Sequence, residues 1–152
     1  MLPYKLLLLA HLLAVIVWIG GMTVMHFAVR PAAVVTLEPP ARLTFMAAAL
    51  GRFFNWVTGA VLVIIASGLA MAIAAGFANL HWSVHAMLTL GLVMAAIYGH
   101  IRMAAFPRLT RAVADKQWPA GAAALGLIRK MVSLNLALGV VVIVLAVLGP
   151  AL

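Results

Sequence analysis

Four stretches of this sequence are apolar over about the 20 residues that a helix needs to cross a bilayer. They run from about Leu6 to Val29, Phe53 to Ala78, Trp82 to Phe106 and Met131 to Leu148. Hydrocarbon offers no hydrogen-bond partner to an exposed backbone group, so a segment inside it must be a helix or part of a closed barrel. A barrel would need short strands of alternating polarity, and none is seen. Composition agrees: a chain of 152 residues that is 68% hydrophobic and 8% charged cannot hide that much apolar surface inside a globule, and lipid must cover the rest. The expected fold is an all-α polytopic membrane protein, an up-down bundle of four transmembrane helices. Residues 1–152 form one domain, with helices at about 4–29, 53–78, 82–106 and 123–149. Pro31, Glu38, Pro39 and Pro40 are expected to break the first connection and leave a short interfacial helix at 41–50, and Pro107 with the Asp115 to Pro119 stretch to end the third helix and start the third loop.

Charge sets the expected orientation. Arg30, Arg42 and Arg52 lie in or beside the first connection, and Arg102, Arg108, Arg111, Lys116, Arg129 and Lys130 in or beside the third. Only Lys5 lies at the opposite end. The positive-inside rule therefore puts both termini on the periplasmic side of a bacterial-type inner membrane. The leucine run after Lys5 has the look of a signal peptide. It is too long, however, and continues through Trp18, Gly20 and Gly21 without a clear cleavage site, so it is read as a retained first span. The formal charge of +8 serves topology and not nucleic-acid binding. The chain has no cysteine, which removes disulfides, thiolate metal sites and covalent attachment of c-type haem.

The first and third spans each carry two histidines at the same separation, His11 and His26, then His85 and His100. Fifteen residues of helix rise roughly 22 Å with about 60° of residual rotation, so each pair lies near one face. With the two helices side by side, His11 would meet His85 in an outer tier and His26 would meet His100 in an inner one. That is a pattern for one or two bis-histidine haem b groups, with Arg30, Arg52 and Arg102 near the inner tier to bond propionates. The seam would comprise His11, Val15, Trp18, Met22, Met25 and His26 on the first helix, and His85, Thr89, Leu92, Ala96, Gly99, His100 and Met103 on the third. Ionisable residues inside a membrane are costly, which makes these four functional candidates. His81, in the short second connection, is read as a histidine that reaches the interface or bonds a backbone carbonyl across the bundle. A copper reading stands beside the haem reading, because the thioethers of Met22, Met25 and Met103 with the His26 imidazole suit Cu(I). A third reading is a cofactor-free structural subunit, its methionines core filler and its histidines hydrogen-bonded across the bundle.

The segment HLLAVIVWIGGMTVMHFAVRP, from His11 to Pro31, resembles the first helix of the copper-resistance D (CopD) family and of its relatives, the HemJ-type protoporphyrinogen oxidases. Further likeness lies in Phe45, Met46 and Arg52 before the second span, Tyr98 and His100 near the end of the third, and Arg129 at the entry to the fourth. The resemblance implies a four-helix membrane scaffold, a haem-ligating role for His11 and a relation to copper. The chain departs from the oxidases in three places: His85 stands where they carry a lysine, no acidic residue adjoins Arg52, and the fourth span offers only Ser133 and Asn135. With two carboxylates in all, Glu38 and Asp115, both in connections, no hydrolytic chemistry is legible. Any enzyme activity would be haem-dependent oxidoreduction, with a quinone or redox protein as partner. A small-residue face at Gly59 to Gly68 would suit a homodimer.

Overall fold

The computed structural model describes residues 2–151. All four spans form as helices: α1 Leu2–Thr36, α2 Pro39–Ala75, α3 Trp82–Ala114 and α4 Trp118–Leu148. At 1.5 Å per residue they are about 45 to 55 Å long, so they outrun the roughly 30 Å hydrocarbon layer and stand with their ends among headgroups and water.

The prolines act differently from the sequence expectation. Pro31 does not break α1, and Pro107 does not end α3. Each is preceded by a π-helical turn, Met25–Val29 before Pro31 and Ile101–Ala105 before Pro107. A proline in a helix clashes with the carbonyl four residues earlier and leaves it without a partner. Those carbonyls belong to Phe27 and Met103, both inside the π turns, where the wider hydrogen-bond ring gives the pyrrolidine room. Of the expected breakers Glu38, not Pro31, marks the break, which falls at Leu37 and Glu38, whose backbones are extended. Pro39 and Pro40 then open α2 in its first turn, where a missing N–H costs nothing. The segment at 41–50 is therefore not a separate interfacial helix. It is the start of α2, since the alanines and leucines from Ala41 to Leu50 propagate a helix without interruption.

The turn after α2 uses Gly76 at φ +76°, a conformation that only glycine adopts at no cost. His81 follows as the N-cap of α3, its Nδ1 accepting the Ser83 N–H at 3.4 Å and lying 3.0 Å from Ser83 Oγ. Its partner is thus the first turn of its own helix and not a carbonyl across the bundle. Between α3 and α4, Lys116 takes φ +54° while Gln117 N–H bonds Ala112 C=O at 2.8 Å, a tight closure of the α3 C-terminus.

The helices pack in neighbouring pairs, α1 along α2 and α3 along α4. α1 and α3 therefore lie on a diagonal and meet through large side chains that cross the centre. Trp18 and Tyr98 pack edge to face at 6.2 Å between centroids. Phe54 of α2 completes the cluster, 5.9 Å from Tyr98 and 5.2 Å from Phe106. The Tyr98 hydroxyl donates to the Phe54 carbonyl at 2.8 Å and lies 2.6 Å from Thr58 Oγ1, so its polar tip is satisfied inside the apolar core. Close approach of α1 and α2 depends on Gly21, where a Cβ would fall 2.4 Å from the Phe53 ring. The outward face of every helix carries exposed large apolar side chains, leucine and valine on all four, the surface that lipid covers.

Candidate metal centre

The two histidines of α1 face inward, towards different neighbours. His11 is half-buried, and its Nδ1 lies 2.9 Å from Ser67 Oγ on α2. Ser67 spends its own proton on the Val63 carbonyl, so it accepts from His11, which fixes the Nδ1–H tautomer and leaves Nε2 as the nitrogen with a free lone pair. Gly68 makes the space: a Cβ there would stand 3.2 Å from His11 Cε1. His26 is half-buried against α4, its Nδ1 3.4 Å from Ser133 Oγ, and it packs edge-on to Phe27 at 4.7 Å.

The histidines of α3 do not join them. His85 and His100 are exposed, as are Thr89, Leu92, Ala96 and Met103 of the same stripe. The inward face of α3 is instead Met94, Tyr98, Ile101 and Ala105, on the opposite side of the helix. The side-by-side pairing of His11 with His85 and His26 with His100 is thus not formed within the chain. The reason is the packing order: α1 lies along α2, and aromatic side chains fill the diagonal between α1 and α3. The arginines also separate. Arg30 is half-buried at the basic end of the bundle, Arg52 is exposed, and Arg102 folds its guanidinium over the Phe106 ring, 5.7 Å from the centroid.

The sulfur donors divide in the same way. Met22 is 2% exposed in the core, and Met25 and His26 are half-buried one turn further along the same face. Met103 is 82% exposed, so it stands apart from this set. Sequence reading missed three interior methionines. Met46 of α2 and Met94 of α3 are both 3% exposed, and Met131 of α4 packs half-buried against the core. Every helix therefore sends at least one thioether inward. The available signal was the spacing of Met94 with Tyr98 and Ile101, which groups it with those two residues and apart from the histidine stripe without saying which of the two faces is buried.

Asn135 is the most deeply buried polar side chain of α4, 1% exposed. Its Nδ2 donates to the Met94 carbonyl at 3.1 Å, and its Oδ1 has no hydrogen-bond partner. Among the described residues no group of three or more His, Cys, Asp or Glu side chains is placed to hold a metal ion. Thioether and imidazole donors such as Met22, Met25 and His26 suit a soft monovalent ion better than a hard one.

Four membrane-length helices around an interior of thioether, imidazole and aromatic groups define a small polytopic α-helical membrane protein. The chain belongs to the copper resistance protein D (CopD) family, whose sequence model matches residues 47–148, from the first turns of α2 to the end of α4. Arg52, Tyr98, His100 and Arg129 fall inside the match, and the His11 to Pro31 segment precedes it. No curated protein and no solved structure matches the chain.

Proposed function

We propose that the chain handles Cu(I) within the membrane, in the service of copper resistance, with the basic end of the bundle at the cytoplasmic face. The observation that carries this reading is that each of the four helices turns at least one methionine towards the bundle interior, Met22 and Met25, Met46, Met94 and Met131, in a member of a copper-resistance family. Cu(I) is soft, and a thioether holds it without being deprotonated, so the ion can move between such sites without exchanging protons. The interior also excludes water, which disfavours Cu(II) and its oxygen ligands. His26 and His11 add imidazole donors to the thioether set. Their serine partners, Ser133 and Ser67, orient the rings, as outer hydrogen bonds do for metal-binding imidazoles.

The test is a Cu(I) titration of the detergent-purified protein against a chromophoric Cu(I) chelator, under reductant. The wild type should withdraw copper from the chelator, and Met22→Leu combined with Met94→Leu should lose at least tenfold in affinity with its helical content unchanged. If the double variant competes as well as the wild type, the interior thioethers are packing groups and the reading fails.

A haem reading has one observation in its favour, the imidazole of His11. Its Nδ1 is anchored and its Nε2 is free, beside a glycine that clears space around the ring. The absorption spectrum of the same sample separates the two: reduced α and β bands that His11→Ala abolishes would make it a haem protein, with a quinone or redox protein as electron partner.

A further inference from the structure

Three arginines distant in sequence meet in one recess at the basic end of the bundle. Arg30 of α1, Arg42 in the first turn of α2 and Arg129 of α4 line an opening of about 420 Å³, with Leu43 and Met46 among the apolar residues beneath them and Trp118 at its side. Among the described residues no carboxylate lines it. Of the two acids in the chain, Glu38 is exposed, and Asp115 lines a separate recess with Arg108 and Arg111. Three guanidiniums gathered at the edge of a low-dielectric layer repel one another unless an anion lies among them. The fold brings them together all the same, and gives them an apolar floor in place of a counter-charge.

The depth of the recess indicates what kind of anion fits. Arg30 follows the apolar stretch that ends at Val29, Arg42 precedes the one that begins at Phe53, and Arg129 stands two residues before the one that begins at Met131. All three lie at or beyond the edge of the hydrocarbon-length segments, on the same end of the bundle. The guanidiniums therefore stand at headgroup level, with Leu43 and Met46 below them towards the acyl region. Trp118 adds an indole, a side chain enriched at that interface. We propose that this recess is a binding site for an anionic phospholipid. Its phosphate would be held by Arg30, Arg42 and Arg129 through paired N–H donors, and its glycerol and first acyl carbons would rest on Leu43 and Met46. Arginine suits this better than lysine would, because its planar fork matches two phosphate oxygens at once.

The experiment is native mass spectrometry of the full chain in mild detergent, titrated with dioleoyl phosphatidylglycerol or dioleoyl phosphatidylcholine. At roughly fivefold per basic side chain, the wild type should prefer phosphatidylglycerol by on the order of a hundredfold. Arg42→Gln with Arg129→Gln should reduce that preference below about tenfold, while Arg108→Gln with Arg111→Gln, in the neighbouring recess, should leave it intact. Circular dichroism checks that the variants are folded, and Arg129→Gln alone, at an exposed position, serves if the double variant does not fold. Two results would overturn the assignment: no preference in the wild type, or an equal loss in both double variants, which would make it a property of the whole basic end. A third would be displacement of phosphatidylglycerol by inorganic phosphate at the same concentration as by lipid, since the site would then belong to a soluble anion.

Discussion

Replacing Asn135 with leucine should stabilise this protein. Asn135 is 1% exposed, donates one hydrogen bond to the Met94 carbonyl at 3.1 Å and leaves its Oδ1 without a partner. The bond it makes is an interhelical one in a membrane protein, a class that averages about 0.6 kcal/mol because the unfolded chain in lipid also finds partners. The Met94 carbonyl sits within α3, so losing the amide does not orphan it. Against this stands a buried, unsatisfied amide oxygen, whose desolvation costs about 1–3 kcal/mol. Leucine has the branching and heavy-atom count of asparagine but bulkier methyls, so overpacking against Met94 offsets part of the gain. The balance is a gain of about 1 kcal/mol, which corresponds to about 2–4 °C in Tm for a chain of this size. Thermal unfolding in detergent, followed by far-ultraviolet circular dichroism on wild type and Asn135→Leu, measures it. A fall in Tm of similar size would refute the reasoning, because it would mean that Oδ1 is engaged by a water or ligand whose bond is worth more than the penalty assigned to it.

Further substitutions probe the fold and the rejected pairing. Gly21→Ala should cost about 1–3 kcal/mol, because a Cβ there would fall 2.4 Å from the Phe53 ring, whereas Gly20→Ala meets nothing within 4 Å and should be neutral or slightly stabilising; unfolding midpoints of the two variants should differ in that order. Lys116→Gly should stabilise by about 0.5–1 kcal/mol, since Lys116 holds φ +54° and the strain relieved in the folded state exceeds the entropy that glycine adds to the unfolded one; a lowered midpoint would contradict this. His85→Leu and His100→Leu should leave Tm unchanged or raise it, because both imidazoles are exposed on the lipid-facing side of α3. A loss above about 1 kcal/mol in either would show that the ring turns inward to a partner.

The four spans were legible from composition and length alone, because hydrocarbon permits almost no other backbone at that apolarity. The expected helix at 82–106 and the observed α3 start at the same residue, and the helical continuation to Ala114 was hidden only by Pro107. A proline signals a break in sequence, but a π turn placed before it absorbs the clash, and nothing local in the sequence distinguishes the two outcomes. Of the soft donors that the sequence grouped together, Met22, Met25 and His26 do face the interior, whereas Met103 does not.

The partners of each helix face could not be read from the chain. His85 and His100 lie on one stripe of α3, as their spacing requires, yet that stripe points away from the bundle. In a water-soluble helix the polar stripe marks the outside, and in a membrane helix an apolar residue suits either side, so periodicity groups residues without saying which group is buried. The choice was made by packing. Gly21 lets α1 settle against Phe53 of α2, Trp18 and Tyr98 fill the diagonal, and Met94, not the histidines, turns inward. The sequence by itself determined a four-helix membrane protein with a strongly basic end. The tertiary structure alone decided which sulfurs, imidazoles and guanidiniums meet, because close packing between helices is a property of pairs of surfaces, and no single segment carries it.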